Sequence, residues 1–114
     1  METMYQLLAL DLDGTLLDRS SRVTEQNARA VRRAQMAGVK IALCTGRHLA
    51  DARLFSEQLL APADWAVTVN GALVSRLDGS ETVLSAGLDR RDCRTILEVC
   101  GRYASDPCFY TAER

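Results

Sequence analysis

A short apolar segment that ends on two carboxylates constrains this chain more than any other feature of its sequence. The segment Tyr5–Leu10 is mostly apolar and leads directly into Asp11, with Asp13 and Gly14 close behind. A run of this kind is typical of a strand buried on both faces of a parallel sheet, and the Asp-Gly pair predicts a turn after it. Open α/β sheets bind ligands at the carboxyl ends of their strands. The two carboxylates therefore stand at a predicted ligand-binding edge.

Two further strands, each preceded by a helix, follow along the chain. The apolar runs Val39–Cys44 and Trp65–Val69 predict the strands. The spacing of apolar residues predicts one helix that begins after the capping residue Thr24 and ends near Gly38, and a second helix over Leu49–Leu60. The order strand, helix, strand, helix, strand predicts an α/β fold with a Rossmann-like parallel sheet.

The pattern changes after the third predicted strand. The segments Ala72–Arg76 and Thr82–Ala86 flank a Leu-Asp-Gly-Ser turn, which predicts a β-hairpin. Asp89 is placed to cap another helix, and Cys108–Thr111 predicts one more strand. These last elements look like the beginning of a second structural unit.

Composition excludes several classes of partner. The net charge is -1, which gives no overall field that would attract nucleic acid or a membrane surface. No apolar stretch approaches the roughly 18 residues that a membrane-spanning helix needs, and residues 1–10 lack the pattern of a secretion signal. The cysteines lack metal-binding spacing, which favours buried, reduced thiols in a cytoplasmic protein; they are Cys44, Cys93, Cys100 and Cys108.

The residue types around Asp11 suit phosphoryl transfer. An ionised carboxylate can be both a nucleophile and a ligand for Mg²⁺. The second carboxylate, Asp13, is displaced by a turn and can serve as general acid and then as general base. Asp and Gly also form turns for purely local reasons, so a turn without chemistry is the alternative interpretation.

A second group of polar residues follows the second and third strands. Thr45, at a strand end and followed by Gly46, can hold a phosphate oxygen with its hydroxyl and the neighbouring backbone N–H groups. Arg47 is either a substrate-side contact or a packing residue at the helix end. Asn70 is either a site residue or part of an ordinary Asn-Gly turn. The single histidine, His48, is interpreted as an exposed or capping residue.

The sequence LALDLDGTLLD resembles the first motif of the haloacid dehalogenase superfamily, in which apolar residues precede DxDGT. Thr45-Gly46-Arg47 resembles the second motif, in the version found in Cof-type phosphatases. The resemblance implies that Asp11 forms an aspartyl-phosphate, and that Asp13 handles the proton and offers its backbone carbonyl to Mg²⁺. It also implies a set of residues that bind the phosphate, namely Thr45, Gly46, Arg47 and Asn70.

The spacing of the two motifs selects a branch of this superfamily. Only the 33 residues from 12 to 44 separate Asp11 from Thr45, too few for an inserted cap domain. The resemblance then implies a type II arrangement, with a partial core domain over residues 1–86 and the start of a C2-type α/β cap over residues 87–114. The implied activity is Mg²⁺-dependent hydrolysis of small phosphorylated metabolites. A phosphomutase, or a non-catalytic fragment that binds phosphate or a partner, are the alternatives.

Two motifs of the superfamily have no counterpart in the sequence. The family's third motif supplies a lysine and its fourth supplies acidic metal ligands, whereas the only lysine here is Lys40, at the start of the second predicted strand. The resemblance therefore covers the N-terminal portion of a Cof-type phosphatase. We expect residues 1–114 alone to be inactive or nearly so, and to form homo-oligomers through an exposed sheet edge or the cap segment.

Overall fold

A mixed five-stranded sheet organises the computed structural model, which describes residues 4–111. The strands lie in the order β1-β2-β3-β4-β5. The first three are parallel, and the last two are antiparallel to their neighbours. The elements are β1 (Leu7–Asp11), α1 (Glu25–Met36), β2 (Lys40–Cys44), α2 (Leu49–Ser56), β3 (Trp65–Thr68), β4 (Leu73–Arg76), β5 (Thr82–Ser85) and α3 (Arg90–Arg102). The predicted βαβαβ order and the hairpin are confirmed, and the hairpin extends the same sheet.

Helices α1 and α2 cover one face of the sheet. Right-handed crossovers between strands laid side by side place both helices on the same face, and one apolar cluster joins them to the strands. Its largest fully buried members include Leu12, Ile41 and Leu43. On β1, Leu8 and Leu10 pack against this cluster, whereas Leu7 is 56% exposed. The expectation that β1 is buried on both faces is therefore wrong for the described residues, because none of their helices covers its second face.

The ends of the two helices follow local chemistry. The Thr24 hydroxyl accepts a hydrogen bond from the Asn27 N–H at 3.1 Å, so the predicted cap of α1 is confirmed. Helix α2 ends at Ser56, earlier than predicted. There the Ser56 hydroxyl accepts a hydrogen bond from the Ala63 N–H at 2.9 Å. Before Pro62, the Gln58 and Leu59 N–H groups donate to carbonyls three residues earlier, as in a 3₁₀-helix.

The C-terminal part of the chain differs most from the expectation. The strand predicted over Cys108–Thr111 is wrong, because residues 105–111 form no regular structure and find no strand to pair with. Helix α3 does form, with the Asp89 carboxylate accepting the Asp92 N–H at 2.8 Å, but none of its residues is buried. The boundary between residues 86 and 87 falls between β5 and α3 and stays a prediction, as does the homo-oligomer.

The cysteines are free but not fully buried. Cys44, Cys93 and Cys100 are half-buried and Cys108 is exposed, so the expectation of buried thiols is wrong in degree. The exposure of Cys93 and Cys100 agrees with the position of both on α3, where no residue is buried. No helix in that range is long and apolar enough to cross a membrane.

Strand β2, the middle one of the three parallel strands, is expected to contribute strongly to stability. Leu43 is 0% exposed, and Leu43→Ala should lower the free energy of unfolding by about 2–5 kcal/mol, because it removes buried apolar contacts and leaves a cavity. Leu54→Ala on the surface of α2 is the matched control, since Leu54 is 60% exposed and should change stability by about 0.5 kcal/mol or less. Urea unfolding followed by circular dichroism measures both, and equal losses would contradict this description of the core.

Candidate active site at the carboxyl ends of the parallel strands

The predicted site residues converge on one edge of the sheet. Asp11 is the last residue of β1 and pairs in register with Cys44, the last residue of β2. Thr45 follows at once, and its N–H donates to the Val67 carbonyl of β3 at 2.9 Å. The Asn70 N–H donates in turn to the Thr45 carbonyl at 3.4 Å. The carboxyl ends of β1, β2 and β3 thus carry Asp11, Thr45 and Asn70, as the sequence predicted.

A wide turn after β1 presents the two carboxylates. The Leu17 N–H donates to the Leu12 carbonyl at 2.9 Å and closes the turn, while Leu12 and Leu16 are buried beneath it. Gly14 has a φ of +78°, a left-handed conformation that costs glycine little. Asp11 and Asp13 remain exposed above this apolar base. The alternation of buried leucines with exposed polar residues explains why the motif points its carboxylates outward.

Among residues 4–111, the Asp11 side chain makes one weak polar contact. The Thr15 hydroxyl lies 3.4 Å from Asp11 Oδ2, which is long for a hydrogen bond between these groups. No ion pair joins Asp11 to another residue within the described range 4–111. Its neighbour Cys44 stays a neutral thiol, because burial and then the Asp11 charge raise the pKa of Cys44. Asp11 is therefore an exposed carboxylate with no ion-pair partner among residues 4–111.

Thr45 is held with its hydroxyl oriented by the backbone. The residue is only 8% exposed, and its Oγ1 accepts the Arg47 N–H at 3.1 Å. A threonine hydroxyl has one proton to donate as well as its acceptor positions. Because Oγ1 is already an acceptor for Arg47, the hydroxyl proton remains available to a phosphate oxygen.

The backbone after β3 is strained where it meets this turn. Val69 has a φ of +52° and Asn70 a φ of +54°. A left-handed conformation is unusual for a β-branched residue, and such residues cost about 1–3 kcal/mol each. The Val69 N–H donates to the Arg47 carbonyl at 2.9 Å, which helps to hold the conformation. With this backbone conformation, the Asn70 side chain lies against Gly46.

The Asn70 side chain occupies the space that a side chain at Gly46 would need. A Cβ atom at Gly46 would stand 2.7 Å from Asn70 Oδ1, so Gly46→Ala should displace the Asn70 side chain. We expect shifted Asn70 side-chain amide resonances and roughly tenfold weaker binding of inorganic phosphate in Mg²⁺, the scale of about one lost hydrogen bond. NMR titration measures both effects. Gly87→Ala is the control, because a Cβ there meets nothing within 4 Å. Unmoved Asn70 resonances in Gly46→Ala would refute the contact.

Arg47 is the residue whose surroundings the sequence did not anticipate. Its Nε and Nη2 donate to the two carboxylate oxygens of Asp13 at 2.8 and 2.9 Å. The hydrogen bond from Arg47 lowers the pKa of Asp13, which favours the ionised form. Asp51 lies 3.8 Å from Arg47 Nη1. Neither contact was predicted, and no local pattern signals a pair that is 34 residues apart.

Two other basic residues, His48 and Lys40, contact carboxylates other than Asp11. His48 occupies the capping position of α2, as one interpretation expected, but its side chain makes no capping hydrogen bond. Its ring lies against Tyr110, and Nε2 is 3.6 Å from Asp51. Lys40 pairs with Leu7 at the opposite end of the parallel strands, about 13 Å along the sheet from Asp11.

The oxygen donors at the edge suit magnesium in kind. The Asp11 carboxylate and the Asp13 backbone carbonyl are hard oxygen ligands of the type that Mg²⁺ takes, usually with waters and substrate phosphate completing the shell. Within residues 4–111 no group of three or more His, Cys, Asp or Glu side chains is arranged to hold a metal ion. The donor set therefore fits magnesium but supplies only part of its ligands.

Comparison with known proteins places this edge in context. Residues 8–114 match the family model of haloacid dehalogenase-like hydrolases. YxeH of Bacillus subtilis (strain 168) is 41% identical over 90 residues, covering 75% of this chain and 33% of YxeH. YwtE of the same bacterium, named 5-amino-6-(5-phospho-D-ribitylamino)uracil phosphatase, is 36% identical over 67 residues, covering 59% of this chain and 22% of YwtE.

A solved structure extends the likeness to the fold. A haloacid dehalogenase-like hydrolase from B. subtilis superposes with a TM-score of 0.76 at 30% identity, covering 87% of this chain and 34% of that protein. The predicted α/β class is confirmed by this match. The chain spans about one third or less of the length of these three proteins.

Proposed function

Because the chain belongs to the haloacid dehalogenase-like hydrolases, as its two motifs predicted, we propose that it carries the nucleophile and the proton-transfer group of a phosphate monoester hydrolase. An Asp11 carboxylate oxygen attacks phosphorus, a new P–O bond to Asp11 forms, and the ester P–O bond breaks. Asp13, in its protonated form, delivers a proton to the departing oxygen, and the Arg47 fork stabilises the carboxylate that this transfer leaves. Water then attacks the aspartyl-phosphate, giving its proton to Asp13 and releasing phosphate and the Asp11 carboxylate.

The observation that carries this proposal is the different environment of the two carboxylates. Asp11 is exposed and has one weak polar contact, whereas both oxygens of Asp13 accept hydrogen bonds from Arg47. A nucleophile needs a free lone pair aimed at the substrate, and a proton-transfer group needs a fixed position beside the leaving oxygen. These environments support the proposed division of roles between Asp11 and Asp13.

The remaining residues of the edge are assigned to phosphate and metal. The Thr45 hydroxyl, the Gly46 backbone and the Asn70 side chain are proposed to hold phosphate oxygens. Magnesium, when bound, would neutralise phosphate charge beside the nucleophile. The Asp11 carboxylate and the Asp13 carbonyl would hold it. Arg47 was also a candidate phosphate ligand, but its contact with Asp13 points to a different role.

The substrate class proposed is small phosphorylated metabolites. YwtE is named for a phosphorylated ribityl compound, which is a metabolite of this size. The site residues lie on an exposed sheet edge, and selection among substrates is assigned to the cap that begins with residues 87–114. We also propose a cytoplasmic location, which the four free thiols favour.

Chemical trapping of the phosphoryl-enzyme tests this proposal. The 114-residue chain is incubated with Mg²⁺ and acetyl phosphate, a small reactive phosphoryl donor, and the adduct is reduced with borohydride before peptide mass spectrometry. Borohydride converts an acyl phosphate into an alcohol, so the label should appear at residue 11 alone. Modification at Asp13 in place of Asp11 would contradict the assignment of the nucleophile.

A further inference from the structure

The guanidinium of Arg47 already contacts two carboxylates. Two of its guanidinium N–H groups form a fork with Asp13 at 2.8 and 2.9 Å, the short parallel geometry of strong charge-assisted pairs. A third nitrogen, Nη1, lies 3.8 Å from Asp51. The two carboxylates beside the guanidinium offset its positive charge, so Arg47 attracts a phosphate only weakly. Arg47 is thus poorly placed to be a phosphate ligand.

Both the backbone and the side chain of Arg47 are fixed. Its N–H donates to Thr45 Oγ1 and its carbonyl accepts the Val69 N–H at 2.9 Å. Its guanidinium carbon lies 5.0 Å from the centre of the Phe55 ring, within the range of a cation–π contact. The side chain is 36% exposed, so about two thirds of it is covered. These contacts restrict the rotamers that Arg47 can adopt and so restrict the carboxylate that it holds.

We infer that Arg47 is a positioning residue, which fixes the Asp13 carboxylate for proton transfer and does not bind the phosphoryl group. This inference rests on the proposed function. Arg47 and Thr45 belong to the same turn, where the Arg47 N–H donates to Thr45 Oγ1 at 3.1 Å. The turn therefore joins the residue proposed to bind phosphate to the residue that contacts Asp13.

The Arg47 Nε–H resonance tests the contact without any need for turnover. In the 114-residue chain it should exchange slowly with solvent, and Asp13→Ala should abolish that protection. The exposed Arg32 of α1 supplies a control resonance that should not respond. Adding inorganic phosphate and Mg²⁺ should shift the Thr45 and Gly46 amides and leave the Arg47 Nε–H in place. Transfer of the Arg47 signal to phosphate, or protection that survives Asp13→Ala, would overturn the inference.

Leaving-group dependence tests the consequence for catalysis. A p-nitrophenyl leaving group departs without much need for a proton, whereas an alkyl oxygen needs one. Arg47→Ala should therefore reduce turnover of glycerol phosphate on the order of tenfold more than turnover of p-nitrophenyl phosphate. Arg47→Lys keeps the charge but lacks the planar fork, so it should restore little of the loss.

The alternatives give different results in the same experiments. A phosphate ligand at Arg47 would give equal losses on both substrates and weaker inhibition by inorganic phosphate. A packing residue would lower the midpoint of urea unfolding and show no dependence on the leaving group. Either result would overturn the inference. Phosphoryl labelling at a residue other than Asp11 would instead count against the proposed function, and the Nε–H experiment would still decide the role of Arg47.

Discussion

Replacement of Asp11 by asparagine is expected to abolish formation of the phosphoryl-enzyme while leaving the fold intact. The amide lacks the charge and nucleophilicity of the carboxylate, so labelling and turnover should fall by at least roughly 10³-fold, as when a catalytic nucleophile is removed. The fold should survive, because Asp11 is exposed and its one polar contact is a 3.4 Å approach by Thr15. Trapping with borohydride and urea unfolding measure the two effects separately.

A matched substitution controls for the loss of one surface carboxylate. Asp106 is exposed in the irregular segment after α3, and it belongs neither to the strands nor to the turns that follow them. Asp106→Asn should leave phosphoryl transfer and the unfolding midpoint unchanged. If a folded Asp11→Asn protein kept the Mg²⁺-dependent label, the nucleophile would have to be another residue at this edge.

The sequence predicted the parallel part of the fold because its signals are local. Each of the three parallel strands is a short apolar run, and each is followed by residues that favour a turn. The rule that parallel strands expose their carboxyl ends at one edge then brought Asp11, Thr45 and Asn70 together before any coordinates were known. The Thr24 cap of α1 could be predicted for the same reason, since capping is decided within four residues.

The features that sequence reasoning missed depend on distant partners. The pair of Arg47 with Asp13 joins residues on two different strand ends, and nothing beside either residue signals it. The exposure of Leu7 is set by what covers the second face of β1, which local periodicity does not report. Residues 108–111 have a strand-like composition, but a strand forms only where another strand offers hydrogen-bonding groups. Local pattern therefore identified the elements, and tertiary contact decided their surroundings.

Turnover by residues 1–114 is expected to be slower than that of a full-length relative by more than about 10²-fold. Phosphoryl transfer depends on fixed positive charge beside the nucleophile and the phosphoryl oxygens, and loss of a single such donor costs roughly 10²–10³ in rate. The resemblance assigns that charge to a lysine of the third motif, and acidic metal ligands to a fourth motif. The printed sequence contains neither motif. Hydrolysis of p-nitrophenyl phosphate in excess Mg²⁺ measures the rate.

Neither Lys40 nor Arg47 is placed to replace the missing positive charge. Lys40 lies at the far end of the strands, where its Nζ is 3.8 Å from Asp64. Arg47 is at the correct edge, but its guanidinium is bound to Asp13 and so does not serve Asp11. Within residues 4–111, neither of these two residues then offers the proposed nucleophile Asp11 a positive charge that could stabilise the transition state. Activity equal to that of a full-length relative, and lost in Asp11→Asn, would contradict this expectation and would require a second chain to supply the charge.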